Sequence, residues 1–103
     1  MTTAAQLDAL IEELTVDAYN DEEQLSGFLV GADEALVRGE HATIAGVTVE
    51  VISVDCGPGA RTGLTARVLR EGAGHTVALA DLAFHPGSAL GPVVAAYLRW
   101  QGR

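Results

Sequence analysis

The apolar residues of this chain change their spacing near residue 40, and that change constrains the fold more than any other feature. Before it the spacing is helical. Leu7, Leu10, Ile11 and Leu14 fall at i, i+3, i+4 and i+7, one apolar stripe on a helix. After a break at residues 15–19 a second stripe follows: Leu25, Phe28, Leu29, Ala32 and Leu36, with Gly39 placed to stop the helix. Two amphipathic helices with a short hinge predict a bent helix or a helical hairpin. Beyond residue 40 the period becomes two. Val47, Val49 and Val51 alternate with Thr48 and Glu50, and Leu64, Ala66 and Val68 alternate with Thr65 and Arg67.

Turn chemistry divides the second part. Ala45–Gly46 is a turn ahead of the first strand, residues 55–62 are a loop by composition, and Gly72-Ala73-Gly74 is a hairpin turn. The stretch HTVALA then makes a partner strand with Val77 and Leu79 inward. Short antiparallel strands of this kind curl more easily than they lie flat, which predicts closure into a small barrel. A last helix starts at Ser88 or Gly91, with Pro92 near its first turn and Leu90, Val93, Val94 and Tyr97 as its buried stripe. Arg99 and Arg103 sit where cations suit the helix dipole. The expectation is an α+β chain: an N-terminal helical pair over 1–38, a small SH3-like antiparallel β-barrel of four to five strands over 41–82, and a C-terminal helix over 89–101. At 103 residues this is one domain, with a thin core.

The net charge is −8, and its distribution says more than its size. Residues 1–55 hold twelve acids against Arg38 alone, a balance of −11; residues 56–103 hold two acids against five arginines, a balance of +3. Phosphate binding needs a basic surface, so nucleic acid is not the expected partner, and an anionic membrane is disfavoured for the same reason. Metal cations and basic protein surfaces remain. No apolar run is long enough to span a bilayer, and the acid-bearing start does not read as a secretory signal, so the expected location is cytoplasmic.

Catalytic motifs are absent from the reading. His41, His75 and His85 occur singly, outside any nucleophile motif, and DCGPGARTG lacks the ending of a P-loop and a following helix. Cys56, the single cysteine, stands beside Asp55, whose charge works against a thiolate. The expectation is a protein that is not an enzyme.

What stands out is TVDAYNDEEQLSGF, residues 15–28. Asn20 is a good N-cap and Glu23, at the third helical position, completes a capping-box-like pair. Asp21 and Glu22 then meet the positive end of the helix dipole. Capping does not use up the surplus, because no base answers the nine acids between Asp8 and Glu34. Asp8 and Glu12 stack at i, i+4, as do Glu13 and Asp17 if the first helix continues. Calcium takes about six to eight oxygens, and an EF-hand is excluded by register, so any site is assembled across segments.

The same segment resembles the signature of the small acidic bacterial calcium-binding proteins of the cyanobacterial CcbP type. The matching residues are Val16, Asp17, Ala18, Tyr19, Asn20, Asp21, Glu22, Glu23 and Gln24, with Phe28 in the aromatic place. The order of blocks matches too, with Tyr97 and Trp100 on the terminal helix. The family's aromatic-proline segment is replaced here by VRGEHAT, and the loop that can be rich in acids has Asp55 alone. The resemblance implies calcium binding, with a buffering role. The ligand candidates are Asp17, Asp21, Glu22 and Glu23, with Asp55 joining from the barrel. The second expectation is an SH3-like interaction module, a homodimer or the binder of a basic partner, without an ion site.

Overall fold

A computed structural model describes residues 3–56 and 63–102. The expected loop beyond Cys56 and the C-terminal Arg103 lie outside the described residues. Both N-terminal helices form. Helix α1 (Ala4–Leu14) starts from a capping box: Gln6 N–H donates to Thr3 Oγ1 (3.2 Å) and Thr3 N–H to Gln6 Oε1 (2.8 Å). It stops at Thr15, whose hydroxyl donates to the Ile11 carbonyl (2.6 Å). Asp17 lies beyond it in the left-handed region (φ 64°), so the Glu13–Asp17 stacking expected of a longer helix does not form. Helix α2 (Asp21–Ala35) buries Leu25, Phe28 and Ala32, one side of the expected stripe.

The strands are β1 (His41–Ile44), β2 (Val47–Cys56), β3 (Leu64–Arg70), β4 (Ala73–Ala78) and, after a 3-10 turn at Leu79–Asp81, β5 (Ala83–Phe84). All pair antiparallel in the order β4-β3-β2-β1-β5. Two-residue hairpins join β1 to β2 and β3 to β4. Their central residues, Ala45–Gly46 and Glu71–Gly72, all have positive φ, the geometry that matches strand twist. The second turn therefore starts one position before the expected Gly72-Ala73-Gly74. A slip of one residue would turn Leu64, Ala66 and Val68 out to solvent, so the core sets the register.

Two further expectations are corrected. The SH3-like barrel is not closed: the two edge strands, β4 and β5, do not pair, and β5 is two residues long. The apolar face of the sheet (Val49, Val51, Val54, Leu64, Ala66, Val68) shares one core with α2 and α3 (Leu90–Gln101), so helices bury what closure would have buried. Leu79 is fully buried but leads the 3-10 turn instead of ending a strand. Within β2 the register shifts between Val51 and Ser53, a bulge at Ile52. The bulge resets the alternation, which is why Val54 points inward after Val49 and Val51.

Helix α3 brings the far end of the chain back onto the N-terminal pair. It starts at Leu90, and the Ser88 hydroxyl just before it accepts from Leu90 N–H (3.1 Å) while donating to Glu40 (2.9 Å). Its Arg99 meets Asp8 of α1 through two bonds, Nε to Oδ1 at 2.7 Å and Nη2 to Oδ2 at 3.3 Å. A base from the C-terminal half thus answers an acid that the local sequence leaves unanswered. The hydrogen bonds from Arg99 hold the Asp8 carboxyl below its ordinary 3.8; slight desolvation opposes them and the Arg99 charge adds to them. A depressed folded-state pKa contributes stability above the unfolded value and loses it as pH falls through the folded one. The stability difference between the native chain and Asp8→Asn should therefore be present at neutral pH and vanish in acid. Urea midpoints across that range check it, and strong salt should shrink the neutral-pH difference because the pair is exposed.

Candidate functional site

The acidic turn is built by local bonds. Asn20 is extended and its Oδ1 accepts from Glu23 N–H (2.9 Å), as an N-cap should. The return half of the pair differs from expectation. Glu23 Oε2 accepts from Tyr19 N–H (2.8 Å), one residue earlier than in a capping box, so the carboxylate also fixes the hinge. Asp21, Glu22 and Glu23 stand in the first turn of α2, against the positive end of its dipole. Asp17 is on the other side of the hinge, and all four carboxylates are exposed. Val16 and Tyr19 are exposed beside them, Tyr19 to 89%.

Asp55 is near the end of β2, also exposed, with Oδ1 accepting from Cys56 N–H (3.1 Å). Desolvation, with the Asp55 charge adding to it, pushes the Cys56 thiol up and keeps it protonated, in the direction the neighbouring acid implied. His41, His75 and His85 are exposed surface histidines.

Two aromatic residues of α3 relate these segments. Trp100 Nε1–H donates to Gln24 Oε1 (2.7 Å), directly after the acidic run. The Tyr97 hydroxyl accepts from Leu64 N–H (2.9 Å) and Gln101 Nε2–H (3.0 Å). Leu64 is the cross-strand partner of Cys56, so Tyr97 holds the start of β3, the strand that pairs with the end of β2. The two rings stack with centroids 6.3 Å apart, and Phe28 of α2 packs on both, at 5.8 Å from Tyr97 and 5.1 Å from Trp100. The start of α2 and the start of β3 are thus both bonded to the last turns of α3. The sequence places Tyr97 in a buried stripe and Trp100 on the terminal helix; their bonds to Leu64 and Gln24 span 33 and 76 positions, beyond any local signal. Tyr97→Phe would leave the buried Leu64 N–H without its acceptor, which should cost about 1–3 kcal/mol in a denaturant titration.

The donor set is chemically right for a hard cation, since carboxylate oxygens are what calcium takes. The side chains are not gathered around one point. Among the described residues no three His, Cys, Asp or Glu side chains form a group able to hold a metal ion.

No family model matches the chain, and no curated protein does. Among solved structures it matches the crystal structure of Anabaena CcbP with a TM-score of 0.79, at 22% identity, over 100% of this chain and 94% of that one. The chain has the CcbP fold. A calcium-binding protein solved in its calcium-binding form matches with a TM-score of 0.74, at 21% identity, over 94% of this chain and 90% of that one. The CcbP fold therefore accounts for the block order read from the sequence, and for the helical layer that takes the place of a closed barrel.

Proposed function

We propose that this chain is a non-enzymatic, single-domain calcium-binding protein of the cytoplasm that acts as a buffer for the ion. The observation that carries the reading is the likeness in fold, over 94% of the chain, to a protein solved in its calcium-binding form. The carboxylates of Asp17, Asp21, Glu22 and Glu23 would supply hard oxygens, with Asp55 from the end of β2. Backbone carbonyls and water would complete the shell, as they do in most calcium sites. All five carboxylates are exposed and so can turn toward an ion.

Calorimetric titration of chelator-treated protein tests this. Saturable binding is expected, weakened about tenfold or more by Asp21→Asn with Glu23→Gln, since ligand charge tunes affinity. At a hundred times Kd the ion should stabilise the fold by about 2.7 kcal/mol. No heat and no rise in Tm at millimolar calcium would sink the proposal. Magnesium is the control, because a diffuse acidic surface attracts both ions alike. The second reading, a surface for a basic partner or a second copy, draws on Val16 and Tyr19, exposed amid the acids. It predicts binding that is indifferent to calcium.

A further inference from the structure

We propose that the free edge of β4 takes up an extended acidic peptide segment by strand addition, with Arg67 meeting its carboxylates. Among the described residues β4 pairs with β3 alone and ends the sheet. Its residues are exposed apart from the half-buried Val77. The two-residue turn before it closes on Arg70 and Ala73, so that pair is hydrogen-bonded and bonded pairs alternate from there. Val68–His75 and Ala66–Val77 are then bonded, while the N–H and C=O groups of Gly74 and Thr76 face away from β3. Such edges are normally blunted by a lysine, a proline, a bulge or shortness. The strand AGHTVA has neither lysine nor proline and its register with β3 is unbroken, whereas β5 at the other edge is two residues long.

Arg67 sets the chemistry of the occupant. It is exposed between the buried Ala66 and Val68, so it stands on the outward face of β3, and it enters no ion pair among the described residues. Its guanidinium leans across β4: a Cβ on Gly74 would lie 3.1 Å from Arg67 Nη2. Glycine leaves the gap through which the charge reaches the edge. Arg70 adds a second positive charge to the hairpin, against Glu71 alone. Salt screens charges beyond about 8 Å, so the charge of the hairpin counts here for more than the net −8 of the chain. In strand addition main-chain bonds give affinity and alternate side chains give specificity, so carboxylates at every second position of the added strand fall on the face of Arg67. A second copy of β4 would instead bring its own Arg67 and Arg70, cation against cation. This surface is separate from the acidic turn and does not depend on the calcium reading.

The test is fluorescence anisotropy of a labelled peptide of alternating threonine and glutamate, with a threonine–lysine peptide as control, both in chelator. The glutamate peptide should bind saturably and the lysine peptide more weakly, and the amide signals of Gly74 and Thr76 should shift. Thr76→Pro removes an N–H that β3 does not use, so the chain should still melt cooperatively while binding falls about tenfold or more. Arg67→Gln should weaken the glutamate peptide about twofold to fivefold, the range of one exposed ion pair, and leave the lysine peptide no weaker. Should Thr76→Pro fail to fold, Arg67→Gln and the amide shifts decide. No saturable binding at millimolar peptide, equal binding of the two peptides, or native affinity in a folded Thr76→Pro overturns the inference. So does a chain that dimerises through β4 in sedimentation, which gives the edge to a second copy. A chain that takes no calcium overturns the functional reading and leaves this inference standing.

Discussion

Phe28→Ala should cost about 3–5 kcal/mol, the range for removing a buried aromatic ring. Phe28 has no exposed surface and packs edge-on to Tyr97 and tilted against Trp100. Its loss opens a void where α2, α3 and the sheet meet. Folded proteins have roughly 5–15 kcal/mol in all, so the variant should be near unfolding at the lower limit. Chemical denaturation measures it. Phe28→Leu, which keeps most of the volume, should recover more than half of the loss; equal losses for both would show that the ring contacts and not the volume matter.

Gly27→Ala should also destabilise, against the usual rule for helices. In a helix interior the change to alanine gains up to about 1 kcal/mol. Here a Cβ on Gly27 would land on the backbone carbonyl oxygen of Leu14, at the end of α1. Backbone cannot turn aside, so α1 must back away from α2. Overpacking costs about 1–3 kcal/mol, occasionally more, so the net should be a loss near the upper part of that range. In melting temperature that is roughly 8–24 °C. Gly31→Ala is the comparison, because there the Cβ meets the tip of the Leu14 side chain, which can rotate. It should cost less. Gly91→Ala, whose nearest neighbours would be Phe84 Cβ at 3.8 Å and the His85 carbonyl oxygen at 3.9 Å, should be close to neutral. Hydrogen exchange should show α1 losing protection first in Gly27→Ala, since that helix has no fully buried residue of its own.

Much of the molecule was readable before any coordinates. The stripes at Leu7–Leu14 and Leu25–Ala32 became α1 and α2, though α2 ends at Ala35, with Leu36 extended as its cap, short of the stop expected at Gly39; Leu90, Val93, Val94 and Tyr97 became the buried face of α3. Alternation in Val47–Val51 and Leu64–Val68 became β2 and β3. These signals survive because burial on one face imposes a period on a single segment, and a period needs no partner to be seen. The spacing from Val51 to Val54 was also a signal, since odd spacing between inward residues requires a bulge. The candidate site was legible as a surplus of acids and as a resemblance carried by residues 16–24, not as a geometry. Asn20 and Glu23 could be assigned to a cap because capping spans a few residues, yet even there the return bond went to Tyr19.

What the sequence by itself determined is therefore local: which segments are helix or strand, which side of each is apolar, and where acids gather. Tertiary structure alone decided that the sheet stays open, because only the assembled layers reveal that α2 and α3 cover its apolar face. It also decided that Arg99 answers Asp8, and that Trp100 and Tyr97 tie the start of α2 and the start of β3 to one helix. Those pairings join residues 33 to 91 positions apart, and side-chain bonds over such separations leave no period and no motif behind.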